Sequence, residues 1–174
     1  SMSFIQDRRD NPVDSRSGIF NTVDVGISLP QFGSESDYTR MLFRNSTYHK
    51  LTRDLVLARS LQFGYIQRLG GSALIPLPER FFAGGASSQR AFPDNQAGPR
   101  DVGSNGSGAT GFPLGGSAML FHSTELRFPL VGDNVGGVVF HDMGNVYSDI
   151  RNVSFGFRQN GVNDFDYMVH AVGF

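Results

Sequence analysis

Hydrophobic and polar residues alternate along most of this chain with a period of two. In residues 19–29 the odd positions are Ile19, Asn21, Val23, Val25, Ile27 and Leu29, while the even ones include Thr22, Asp24, Gly26 and Ser28. Successive side chains of an extended strand point to opposite faces, so the pattern describes one apolar face and one polar or small face. Residues 38–51 repeat it, with Met41 and Phe43 against Arg40, Arg44 and Ser46. Residues 55–69 set Leu55, Leu57, Leu61, Phe63 and Tyr65 against Ser60, Gln62 and Gly64. Residues 117–130 set Ala118, Leu120, Thr124, Leu126 and Phe128 against Ser117, Ser123, Glu125 and Arg127. Stretches 135–147 and 167–174 complete the set, with a half-strand before Asp10. No segment carries a helical period. The pattern predicts an all-β, antiparallel meander of roughly seven strands.

The connectors alternate in length. Residues 11–18, 52–54 and 131–134 are short and built from turn-tolerant residues. Between them lie the longer connections 31–37, 70–116 and 148–166. Strands of ten or so residues, with short turns at one end and long loops at the other, point to a transmembrane β-barrel. A soluble antiparallel protein with one wet face gives the same alternation, although sandwich strands are usually shorter. Arg59 and His122 fall on the apolar faces. An arginine there costs about 2–4 kcal/mol at mid-bilayer and little near an interface. Arg59 follows the 52–54 turn closely enough to snorkel.

Composition narrows the classes. The 174 residues suit one domain. With 15 basic and 16 acidic residues and no basic stripe, nothing points to nucleic acid. Cysteine is absent, which excludes disulfides and thiolate zinc sites and fits an oxidising compartment. No run approaches the length of a membrane helix, and no signal peptide is visible. Ser1-Met2 reads as a vector-derived remnant, which places any native targeting segment upstream.

The 75–92 segment (Ile-Pro-Leu-Pro-Glu-Arg-Phe-Phe-Ala-Gly-Gly-Ala-Ser-Ser-Gln-Arg-Ala-Phe) is the exceptional stretch. It lies in a connection of roughly forty residues, where hairpins need about 2–5. It is apolar, with paired aromatics, a double glycine and a central arginine. Together with Gly115-Gly116, then Thr124-Glu125-Leu126-Arg127-Phe128-Pro129, then Phe140-His141-Asp142-Met143-Gly144-Asn145-Val146, it resembles the bacterial surface-antigen family of outer-membrane barrel-assembly proteins (BamA/TamA-like). The opening unit 7–18, with Arg9-Asp10-Asn11-Pro12, is also similar to the family's strand–turn repeat. The resemblance spans essentially the whole chain.

It implies that residues 1–174 are one partial outer-membrane barrel domain from the bacterial cell outer membrane. Residues 70–116 would be its sixth extracellular loop, folded back into the lumen. The loop tip Gln89-Arg90-Ala91-Phe92 matches a Val-Arg-Gly-Phe/Tyr motif, preceded by Phe82, Gly84 and Gly85. Family behaviour implies that acidic residues on the next two strands hold Arg90, and the matching positions are Glu125 and Asp142. The alternation independently puts both on the polar face. A guanidinium offers a planar fork of donors suited to carboxylates, and a buried one needs such compensation. Two positions depart from the motif. Gln89 replaces its apolar residue, and Ala91 replaces its glycine, so the tip can follow the family only if φ at residue 91 stays negative.

The implied activity is assembly and insertion of outer-membrane proteins, or polypeptide translocation, without catalysis or cofactor. Unfolded outer-membrane polypeptides would be substrates, with membrane lipid and accessory assembly proteins as partners. The alternatives are a two-partner-type secretion porin of the same superfamily and a soluble β-rich binding module. No nucleophile–base pair or paired carboxylates suggest an enzyme. His122 and His141 could face each other across the hairpin turned at 131–134, but no third metal ligand accompanies them. The 103–111 run lacks the context of a phosphate loop and reads as a linker. Asn45-Ser46-Thr47, a glycosylation sequon, falls inside a predicted strand. Half-strands at both ends describe an incomplete barrel. Open edges in lipid would drive self-association or incorporation in a larger assembly.

Overall fold

The computed structural model describes residues 1–29, 31, 36–70, 74–103, 110–132, 135–161 and 163–174. The centre of the 103–111 run and the turn residues 133 and 134 lie outside the described residues, as do parts of the three long connections. Seven antiparallel strands form one sheet in chain order: β1 (Met2–Asp7), β2 (Gly18–Ser28), β3 (Tyr38–Lys50), β4 (Val56–Arg68), β5 (Ala118–Val131), β6 (Val135–Tyr147) and β7 (Val169–Gly173). No α-helix occurs among the described residues. The six stretches predicted with bounds agree with β2 to β7 to within two residues at each end, the half-strand before Asp10 is β1, and β1 and β7 form the edges of the sheet.

The short connections share one end of the sheet. Asp10 organises the first, its Oδ1 accepting from the backbone N–H groups of Asn11, Arg16 and Ser17 at 2.9, 3.0 and 3.1 Å. Those bonds satisfy a tight turn that would otherwise leave amides unpaired. In the second, Thr52 Oγ1 accepts from Leu55 N at 3.2 Å. Near the third, the β5–β6 register shifts between Pro129 and Val131. Proline brings no N–H to a ladder, so it sits where pairing is interrupted.

Register fixes two faces. On one, Ser60 pairs with Ser123, Ala58 with Glu125, and Ser123 with Asp142. On the other, Phe43 pairs with Phe63, Phe63 with Leu120, and Leu126 with Val139. The first face carries the long β4–β5 connection, so we call it inner and the second outer.

The inner face is not polar throughout. Near the short turns it presents Ser60, Ser123, Glu125 and Asp142, but near the long connections it presents Leu42, Ile66, Met119, Phe121 and Val146, all buried. Against these pack Ile75, Phe81, Ala83 and Ala97 from the long connection, with Tyr38 and Phe92 at the margin. An apolar loop laid on a sheet requires an apolar floor, because desolvated polar groups there would lack partners. The core of this chain is therefore the seam between loop and sheet.

The two histidines of the predicted hairpin share the outer face as diagonal neighbours. Register sets His122 opposite Met143 and His141 opposite Thr124. On its β7 side His141 meets His170, with Nε2 and Nδ1 3.0 Å apart. His170 also pairs with Met143, so it reaches His141 along the equivalent diagonal, from beyond the predicted hairpin. Among the described residues, no three His, Cys, Asp or Glu side chains are arranged to hold a metal.

Candidate functional site

The long connection reaches the inner face in three steps. Its entrance is tied to its exit, Phe81 and Gly116 exchanging backbone hydrogen bonds of 2.9 Å in both directions. Arg80 reinforces this by donating from Nε to the Ile75 carbonyl and from Nη1 to the Leu114 carbonyl, both at 3.0 Å. The chain then turns sharply at Gly84-Gly85, with φ of +131° and +78°. A Cβ at Gly84 would lie 2.0 Å from the Pro93 carbonyl oxygen, so only glycine fits that close approach. Ser88 secures the turn, its hydroxyl accepting from Gly84 N at 2.8 Å and donating to Gly84 O at 2.9 Å.

This path carries Arg90 onto the polar half of the inner face. Its Nε donates to Asp142 Oδ2 and its Nη2 to Asp142 Oδ1, both at 2.6 Å. Nη1 donates to Glu125 Oε1 at 2.9 Å, and Nη2 also reaches the Ser123 hydroxyl at 3.1 Å. Ser123 in turn donates to Asp142 Oδ1 at 2.6 Å. The guanidinium carbon stands 3.4 Å from the centroid of the Phe140 ring, which closes the remaining face by a cation–π contact. A second cation, Arg127, donates to Glu125 Oε2 from Nε and Nη2 at 2.9 and 2.7 Å. Burial is uneven across the cluster: side-chain exposure is 2% for Asp142, 20% for Glu125 and 22% for Arg90. The fork pairs bidentately with the more buried carboxylate, where screening is weakest.

The structure thus brings Arg90, Glu125 and Asp142 together. Ser123, Phe140 and Arg127 complete the cluster although sequence reading did not select them. Each lies two residues from a selected carboxylate, on the same strand face, so strand alternation holds the signal that could have found them.

The remaining loop residues divide. Gln89 is fully buried, donating from Nε2 to the Val169 carbonyl at 3.2 Å and accepting from Ala91 N at 3.4 Å. The polar residue at the motif's apolar position therefore ties the tip to β7. Ala91 lies outside the positive-φ set, in which Asn95 (φ +59°) is the one described non-glycine residue. The tip turns without left-handed backbone at 91, which is the condition alanine needs. Phe92 packs half-buried against the core, and its amide donates to the Gln89 carbonyl at 3.2 Å. Phe82 is half-buried, against Gly115, while its neighbour Phe81 is the buried anchor of the pair, 3% exposed. Two adjacent phenylalanines give no sequence signal for which one is buried.

Farther along the loop, Asp101 accepts from the Gly103 amide at 3.0 Å and the Thr110 hydroxyl at 2.5 Å. The hydroxyl bond, followed by the Gly103 amide, holds its carboxyl below the usual carboxylate range.

An antiparallel meander with short turns at one end, long connections at the other and a long connection packed on the inner face defines a section of an outer-membrane β-barrel. Residues 1–169 match the Omp85 superfamily domain, and the chain belongs to that superfamily. Among solved structures, BamA from Haemophilus ducreyi lacking POTRA domains 1-3 is similar, with a TM-score of 0.73 and 24% sequence identity. The match covers 83% of this chain and 29% of that one, so this chain spans less than a third of its length.

Proposed function

We propose that this chain is part of an outer-membrane barrel that inserts or translocates other outer-membrane polypeptides, with its long loop held in the lumen by Arg90. The observation that carries this reading is the guanidinium fork shared between carboxylates on two adjacent strands, Glu125 on β5 and Asp142 on β6. One loop side chain thereby spans a strand pair, and Gln89 extends the tie to β7. Removing the cation would leave Asp142 buried and uncompensated, a loss of several kcal/mol. Such a lock fixes barrel shape and closes the lumen while leaving the work itself to conformational change, without catalytic residues or cofactor. Unfolded outer-membrane polypeptides are the substrates under this reading, surrounding lipid and accessory assembly proteins the partners.

The test is Arg90→Glu in the full-length protein. Charge reversal places three carboxylates together, and the loop is expected to leave the lumen, read as faster proteolysis of the loop and higher channel conductance. Unchanged protease access together with unchanged assembly activity would sink the lock.

A further inference from the structure

The β6–β7 connection carries two phenylalanines that neither the sheet nor the loop seam uses. Phe155 and Phe157 are 71% and 73% exposed. Between them, the Gly156 carbonyl accepts from Met168 N at 2.7 Å, which holds the segment beside the start of β7. The Phe157 ring meets His170 edge-on, with centroids 6.4 Å apart. His170 pairs with Met143 and neighbours His141, so it belongs to the outer face. Val172 follows at the next alternate position on that face and is exposed. Phe157 therefore lies over the outer face of the barrel wall, against His170, with Val172 next on the same strand face.

The level is also informative. Val169 pairs with Gly144, close to the end of β6 at Tyr147 on the long-connection side. The two rings thus lie where strands give way to external loops. Aromatic side chains gather at that boundary in barrel proteins. This chain has no tryptophan, which leaves tyrosine and phenylalanine for the role. The next residues, Arg158, Gln159 and Asn160, are exposed and polar, the profile expected where a segment returns to water.

We propose that Phe155 and Phe157 form a lipid anchor, dipping into the outer leaflet and holding the β6–β7 connection on the bilayer beside β7. The occupant is lipid because the patch is continuous with the membrane-facing strand surface and bounded by polar residues on its outer side. This inference rests on the outer-membrane barrel reading. Nitroxide labels placed by Phe157→Cys, Asn160→Cys and Val139→Cys, one at a time in the full-length protein with no other cysteine, test it in phosphatidylcholine liposomes. Access to oxygen, which concentrates in hydrocarbon, is compared with access to a water-soluble nickel chelate. The oxygen-to-nickel ratio is expected to be severalfold higher at 157 than at 160 and to approach that at 139. A water-like ratio at 157 beside a lipid-like ratio at 139 overturns the anchor alone. Water-like ratios at both overturn the barrel reading with it. Low access to both reagents at 157 means that protein covers the patch, and also overturns the anchor.

Discussion

Around Arg90 the two carboxylates do unequal work. Asp142 receives both arms of the fork and is nearly sealed from solvent, whereas Glu125 is shared with Arg127 and is 20% exposed. Asp142→Asn removes the buried charge opposite an arginine that stays cationic, and breaking such a pair costs about 3–5 kcal/mol. Glu125→Gln leaves Arg90 its stronger partner, and a more solvated pair is worth about 1 kcal/mol or less. The expected order of loop release, measured as the rate of loop proteolysis in the full-length protein, is Asp142→Asn well above Glu125→Gln. Equal rates would mean that the bidentate contact does not dominate. Phe140 matters at this scale too, because a ring over the guanidinium keeps water from its open face.

Among the elements, the long connection and the sheet stabilise one another through apolar contact as well as charge. Phe81 sits over Gly64 and Met119, where a Cβ at Gly64 would approach its ring to 2.7 Å. The missing side chain at 64 is the space the ring fills. Phe81→Ala vacates that space, and buried Phe→Ala changes typically cost about 3–5 kcal/mol. A clear fall in the unfolding midpoint of the folded barrel is expected, with the loop becoming protease-sensitive. Phe82→Ala, at the half-buried neighbour, is expected to be milder. If the two were equivalent, the loop would not be seated as described.

At the scale of the whole molecule, the two faces answer to different solvents. Val139 lies on the outer face of β6 and Ser60 on the inner face of β4. Arginine on a lipid face costs about 2–4 kcal/mol near mid-bilayer, while a wet interior tolerates it. Val139→Arg is therefore expected to lower stability against urea in liposomes by about that amount, and Ser60→Arg by much less. Equal losses would contradict the assignment of faces.

The alternation of residues 19–29, 38–51, 55–69, 117–130 and 135–147 was sufficient to place five of the seven strands, because a strand's side chains obey a period of two wherever one face differs from the other; the connector lengths gave the meander. The same period put Glu125 and Asp142 on one face, and the loop motif supplied Arg90. Tertiary structure alone decided where that face stops being polar. Leu42, Ile66, Met119 and Phe121 break the polar pattern because they lie under a loop that returns from far along the chain. It also decided that Phe81 rather than Phe82 is buried, that Gln89 reaches β7, and that His170 joins His141 from beyond the hairpin. Each of these is a contact between segments whose separation in sequence carries no periodic trace, set only by register and by the path of the loop.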